Sequence, residues 1–277
     1  MKSFIRLLAC SIAATLGLAL HAEDPVSVPL VTASDPSGFS LSLGGFLLSS
    51  VKTTVSLSAS NGSAGSDIDF NTKLGHSSTV NVFRVDGEWR IAARHKVEFA
   101  YFDISQDGSK VIDTSINWGD QVYPVAATIN SKFQNTVYKI NYGYVFYREG
   151  DTEVTGLIGA HVTTYEASLG LASGASTQKF TVTAPLPVIG LEWTDRFSEK
   201  WTSRLSFEYF GVSLESGKYS GHLTDFQGTV DYSLSQHWSL GGGYERFDFT
   251  AKLKNNLAQL KASRAYNGLL IYLKAHF

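Results

Sequence analysis

Between Phe83 and Ile91 the chain repeats with a period of two. Phe83, Val85, Gly87, Trp89 and Ile91 are apolar or small, and the residues between them, Arg84, Asp86, Glu88 and Arg90, are all charged. Successive side chains on a β-strand point to opposite faces, so this segment has one greasy side and one fully charged side. The dry core of a soluble sandwich would not accept that charged side unpaired. A membrane barrel accepts both faces, because its outward residues meet lipid while its inward residues meet water or one another.

The same dyad recurs along the chain. Leu41, Leu43, Gly45, Leu47, Val51, Val55 and Leu57 oppose Ser42, Gly44, Ser50, Lys52, Thr54 and Ser56. Val97, Phe99 and Tyr101 oppose Lys96 and Glu98; Tyr138 to Phe146 opposes Lys139 and Asn141; Val154 to Val162 opposes Glu153, Thr155, His161 and Thr163. Ile189, Leu191 and Trp193 oppose Glu192; Leu205, Phe207 and Tyr209 oppose Arg204 and Glu208; Phe226 to Leu234 opposes Gln227 and Asp231; Trp238, Leu240 and Tyr244 oppose Glu245. In the last segment Leu269, Ile271, Leu273, Ala275 and Phe277 alternate with Gly268, Leu270, Tyr272, Lys274 and His276.

These segments predict an all-β, closed antiparallel transmembrane barrel of about ten strands, with eight if two weaker segments belong to loops. Pro185 and Pro187 would remove ladder hydrogen bonds, so that strand is expected to start near Val188. Ala92–His95, Glu149–Thr152, Ser198–Lys200 and Ser235–His237 read as tight turns. Trp89, Trp193, Trp201 and Trp238 sit close to turns of that set, as an interfacial girdle would. Asn61–Ser66, Asp107–Lys132 and Leu169–Lys179 form a looser set at the opposite end, with shorter ones near Ser216 and Asn255.

The 277 residues carry a formal net charge of -2, which argues against a nucleic-acid partner. Lys2 and Arg6, the apolar run Leu7–Leu20 and small Ala22 read as a secretory signal over residues 1–22. The only cysteine, Cys10, is expected to leave with it. Residues 23–38, with Pro25, Pro29 and Pro36, read as a periplasmic lead-in, and residues 39–277 as the barrel. No later apolar run reaches the length of a membrane helix. The expected location is the cell outer membrane with both termini periplasmic.

The main candidate site is the mixed inward charge of Lys52, Arg84, Asp86, Glu88, Arg90, Lys96, Glu98, Lys139, His161, Arg204, Glu208, Asp231 and Glu245. It can be a selective channel with an acidic and a basic side, or a packed interior whose charges neutralise one another. A barrel of about ten strands is close to the width that side chains fill, and both signs interleave here, so a plugged lumen is favoured. Enzyme chemistry finds little purchase: neither His161 nor His76-Ser77-Ser78 sits in a diagnostic hydrolase spacing. Asp67, Asp69, Asp103, Asp107, Asp113 and Asp120 do not follow a calcium-loop rhythm, so no metal site and no cofactor are expected. Trp118, alone in the longest loop, either anchors a partner or lipid headgroup or packs the loop.

The signal, the alternating strands, the tight turns beside Trp and the aromatic Phe277 resemble the small bacterial outer-membrane β-barrels of the opacity, adhesion and porin-like group. The resemblance covers the whole mature chain and is architectural, so it speaks for fold and leaves activity open. It implies contact with outer-membrane lipids and lipopolysaccharide, and assembly by the barrel-assembly machinery through Tyr272 and Phe277. It also implies a structural or surface-interaction role through external loops. A narrow channel for ions or small solutes is the alternative, and a lipid-acting or proteolytic barrel enzyme the third reading.

Overall fold

The computed structural model describes residues 38–57, 66–118, 121–174, 177–214, 219–254 and 259–277. The expected signal peptide, the lead-in apart from Gly38, and Asp120 lie outside those residues. So do most of the Asn61–Ser66 loop and the positions near Ser216 and Asn255.

The elements in chain order are β1 (Gly38–Leu57), β2 (Asp67–Asp69), α1 (Phe70–Leu74), β3 (Val80–Ala92), β4 (His95–Val111), β5 (Ile116–Trp118), β6 (Gln121–Tyr123), β7 (Thr128–Glu149), β8 (Thr152–Leu171), β9 (Thr177–Asp195), β10 (Trp201–Leu214), β11 (Tyr219–Ser233), β12 (Trp238–Lys254) and β13 (Gln259–His276). The long strands β1, β3, β4, β7, β8, β9, β10, β11, β12 and β13 pair in that order, and β13 returns to β1. The closing pair is antiparallel from Ser40 opposite His276 to Leu57 opposite Leu260. The Phe277 N–H also donates to the Phe39 carbonyl at 2.8 Å. This is the ten-stranded closed barrel that the alternation predicts.

Outward rows are apolar over one membrane-sized stretch. Tyr138, Ile140, Tyr142, Tyr144 and Phe146 are exposed on β7, and Trp201, Leu205, Phe207 and Tyr209 on β10. Trp201 to Tyr209 is the nine-residue span that a tilted strand needs to cross. Trp89, Trp201 and Trp238 are exposed, and Trp193 is half-buried on the outward row of β9. All four lie toward the tight-turn end of the barrel.

Two sequence expectations fail in the wall. A β-bulge between Leu48 and Ser50 shifts the register of β1 against β13 and inverts the parity beyond it. Val51 and Val55 are therefore buried inside and Lys52 is exposed on the outer side, so Lys52 is not a lumen charge. The second failure is β9, which does not begin near Val188. It runs unbroken through Pro185 and Pro187, paired to β8 all the way from Thr177 to Asp195.

The supposed loops are also more ordered than their composition suggests. β4 and β7 continue as a paired ribbon to Val111 opposite Thr128, and β5 and β6 form a hairpin beyond them. Leu169–Lys179 narrows to a short connection between β8 and β9.

The interior has two apolar tiers above a polar one. The lower apolar tier includes Phe46, Phe102, Ile104, Leu186, Val188, Leu223, Phe247 and Tyr266. The upper one includes Phe70 and Leu74 of α1, Ile68, Trp118, Tyr123, Phe133 and Leu169, and caps the barrel mouth. Trp118 is 1% exposed, so it packs the cap. Asp69 caps α1 by accepting from the Asn71 and Thr72 N–H groups at 2.9 and 3.0 Å. The Asn71 side chain ties the segment to β1 through the Val51 carbonyl at 2.9 Å.

Candidate functional site

The polar tier is built from alternate residues of every long strand. At the turn end Arg90 on β3 and Arg148 on β7 both reach Glu153 on β8, at 2.9 and 2.7 Å. One level in, Lys96 on β4 meets Glu98 at 2.7 Å and Glu88 at 3.6 Å, and bonds Glu192 on β9. Arg204 on β10 reaches Glu88 on β3 at 2.6 Å. Those two strands stand on opposite sides of the ring, so the bridge spans the lumen. Beside it, Asp231 accepts from the Tyr272 hydroxyl at 2.6 Å and pairs with Lys274.

The next level is drier. Arg84 holds Asp86 at 2.8 Å and bonds Glu245, whose side chain is fully buried. Lys139 reaches Glu245 at 3.0 Å and bonds Asp225. Glu208 accepts from Asn141 at 3.0 Å and lies 2.6 Å from His161 Nε2. The guanidinium of Arg84 lies 5.0 Å from the Phe102 ring centroid and 5.4 Å from that of Phe46. These rings belong to the apolar tier, which lids the charges from above. Unpaired ions there would be costly; each one has a partner of opposite sign or a hydrogen bond.

Void space follows the same order. A polar vestibule of about 720 Å³ opens at the turn end, lined by Arg90, Glu153, Thr194, Arg196, Lys200 and His276. Among the charges lies a cavity of about 80 Å³, lined by Arg84, Glu88, Lys139, Glu192, Arg204 and Glu208. That volume suits a few bound waters, not a solute path.

The geometry thus brings together Arg84, Asp86, Glu88, Arg90, Lys96, Glu98, Lys139, His161, Arg204, Glu208, Asp231 and Glu245, and leaves out Lys52. Sequence reasoning missed Glu153, Glu192, Asp225, Arg148 and Lys274 as members. The alternation already turned Glu153, Glu192 and Lys274 inward, and the alternation of Phe226 extends to Asp225. Arg148 carried no such signal, because a bulge between Val145 and Tyr147 shifts its parity. Tyr272, expected as part of an assembly signal, points inward to Asp231. Among the described residues no cluster of acids, His or Cys is arranged to hold a metal. Asp103, one of the acidic loop candidates, accepts from Gln134 at 2.9 Å and Thr136 at 2.7 Å.

A second polar cluster pins the cap. His76, just after α1, lies 2.8 Å from the Ser131 hydroxyl on β7, with both side chains buried. Burial holds the imidazole down at about 4, Asp107 pulling it back up and Arg264 reinforcing the drop. A neutral imidazole beside a hydroxyl has the outline of a nucleophile and base. Its Nδ1, however, has no hydrogen-bond partner among the described residues, so no group orients the ring for that task.

No family model matches this sequence, and no curated protein matches it either. Solved structures do. The outer membrane protease OmpT from Escherichia coli is similar at a TM-score of 0.55 and 12% identity, over 89% of this chain and 99% of that one. The chain has the fold of a bacterial outer-membrane β-barrel. The transport unit of the autotransporter AIDA-I from Escherichia coli matches at a TM-score of 0.42 and 10% identity, over 99% and 98% of the two chains. The outer membrane protein OprG from Pseudomonas aeruginosa matches at 0.39 and 9%, over 87% and 96%. At such identities the likeness carries architecture alone.

Proposed function

We propose that the protein is a closed, non-enzymatic outer-membrane barrel with a structural or surface-interaction role. Its lumen is plugged by its own charges, its long ribbons and cap form the outside surface, and both termini are periplasmic. The observation that carries this reading is the pair of bridges across the full ring, Arg204 to Glu88 and Lys139 to Glu245. Two ion pairs that span the lumen, lidded by packed aromatic rings, leave no continuous water column. His161 belongs to this plug, since it is sealed from solvent against Glu208.

The belt of outward aromatic and aliphatic residues meets outer-membrane lipid and lipopolysaccharide. The strand-closing end at Tyr272 and Phe277 is the part read by the barrel-assembly machinery. An extracellular ligand would meet the loop end, where a shallow groove of about 680 Å³ is lined by Asp107, Asn130, Lys132, Ser168 and Thr177. Planar-bilayer recording of the purified protein tests the closed lumen: no steady channel is expected, and a large stable conductance would promote the channel reading.

A further inference from the structure

Among the described residues the backbone pairing of the wall stops short in two places, and only one of them is filled by another segment of the chain. β3 pairs with β4 no higher than Arg84 opposite Phe102, although β4 continues to Val111. That opening is filled by the segment after β2. Val51 N–H donates to the Ser78 carbonyl, the Gln106 amide donates to the Ser77 carbonyl, and Lys110 donates to the Thr72 carbonyl.

The second place is the seam between β9 and β10. Their pairing runs from Ser203 opposite Asp195 to Tyr209 opposite Ile189 and then ends. β9 continues for twelve residues beyond Ile189 to Thr177, and β10 continues to Leu214. Among the described residues no backbone pairing joins these upper parts.

The prolines explain the break. Alternate backbone N–H groups of a strand point to alternate neighbours. β9 stays paired to β8 throughout, so the missing donors of Pro185 and Pro187 fall on the edge that faces β10. If the register continued, Pro187 would meet Gly211 and Pro185 would meet Ser213, with no donor on the β9 side of either pair. The same prolines protect the edge against an added strand, since a partner would find too few donors.

The level and the lining say what the opening faces. On β9 the outward row Trp193, Leu191, Ile189, Pro187, Pro185 stays apolar, and Thr183 is its first polar member. Pro185 is level with Val162 on β8, which is level with Tyr138 at the top of the exposed belt on β7. On β10 the outward apolar row ends at Tyr209, the last residue paired to β9, so the break lies at the upper edge of the lipid-facing belt. Directly inside it are Leu186, Val188, Leu223 and Phe249, with Phe210 packed against them. Above them an apolar cavity of about 40 Å³ is lined by Phe180, Val182, Phe249, Leu260 and Tyr165. The charged tier forms the floor, where the Phe247 ring stacks on His161.

We propose that the β9–β10 seam is a lateral port through which the acyl chain of a membrane lipid enters the apolar upper compartment. The ligand class is an amphiphile: its alkyl chain lies against Leu186, Val188, Phe210 and Leu223. Hydroxyl or amide donors at its head end meet the β9 carbonyls that the prolines leave facing β10. Lipid is the occupant because it bathes this level of the wall, because the compartment behind it is apolar, and because the sealed seam beside β3 shows that this fold can close such a break.

The test uses the full-length protein in phospholipid vesicles doped with a phosphatidylglycerol, whose headgroup hydroxyls supply the donors, carrying a photoactivatable diazirine in one acyl chain. Adducts are mapped by mass spectrometry. Inward residues Leu186, Val188, Phe210 and Leu223 should be labelled together with the outward controls Leu191 and Phe207. A Pro187→Cys, Gly211→Cys pair oxidised to a disulfide should lose the inward adducts and keep the outward ones, and reduction should restore them. Where the disulfide does not form, Pro185→Val with Pro187→Val returns the donors and should close the seam to the same effect. Labelling of outward residues alone in the wild type overturns the proposal, and so do inward adducts that persist unchanged in a folded, closed variant.

Discussion

Lys139 Nζ lies 3.0 Å from Glu245 Oε1, although β7 and β12, which carry them, stand on opposite sides of the ten-strand ring. Lys139 also bonds Asp225, and Glu245 also bonds Arg84. Lys139→Met removes one charge and leaves Asp225 short of its cation inside the barrel. The expected cost is about 3–5 kcal/mol, as for breaking other buried pairs. A urea titration in detergent or lipid should show it, with Lys139→Arg losing much less.

The two faces of the wall respond differently to charge. Val85→Arg, on the lipid side of β3, should destabilise the inserted barrel by about 2–4 kcal/mol if it lies near mid-membrane. Lys52→Ala, on the outer side of β1 beyond the bulge, should change stability by no more than about 0.5 kcal/mol. Arg84→Ala should cost as much as a broken buried pair. A folding titration in which Lys52→Ala matched Arg84→Ala would restore Lys52 to the lumen.

The strand rows, the ring closure and most of the charged tier were legible because a membrane barrel inverts the usual burial rule. Arg84, Asp86, Glu88 and Arg90 alternating with Phe83, Val85 and Trp89 leave few other solutions. Lys52 was misplaced because the bulge at Ser49 adds one residue to a strand without any compositional mark. Pro185 and Pro187 argue against a strand only where a ladder needs their missing donors, and a fully paired barrel has no free edge to spare them. The seam beside β10 is such an edge, and its existence depends on where a neighbouring strand stops. Which carboxylate meets which cation across the lumen was equally hidden, since pairs such as Arg204 and Glu88 lie 116 residues apart.

The cap should loosen in acid. His76 is neutral in the folded state because burial holds its pKa at about 4, below the ordinary value of 6.5. Asp107 and Arg264 are the charged groups that act on it, in opposite senses, and Phe70 and Ser131 pack beside it. Below 6.5 an opened cap takes up a proton that the closed cap resists, so closure weakens as pH falls from about 6.5 to about 4. Hydrogen exchange over residues 66–79, corrected for intrinsic rate, should rise across that window in the wild type and stay flat in His76→Gln. Constant protection in the wild type would contradict it.

Phe277 joins the ends of the ring. Its N–H donates to Phe39 and its side chain packs on the Phe39 ring at 5.9 Å. Deleting it, or placing Asp there, should reduce membrane yield and heat-modifiable migration, because the closing pair loses its outermost contact. Assembly of both variants at wild-type level would show that closure is complete without it.

The most direct test of the plugged lumen is single-channel recording of the wild type beside Arg204→Ala with Glu88→Ala, which removes one of the two spanning bridges. The wild type should show no steady conductance; in the double variant the small polar cavity joins the open vestibule while the apolar tiers above it remain, so only brief, small openings should appear. Stable large conductance from the wild type, unchanged in the double variant, would contradict a lumen closed by its own charges.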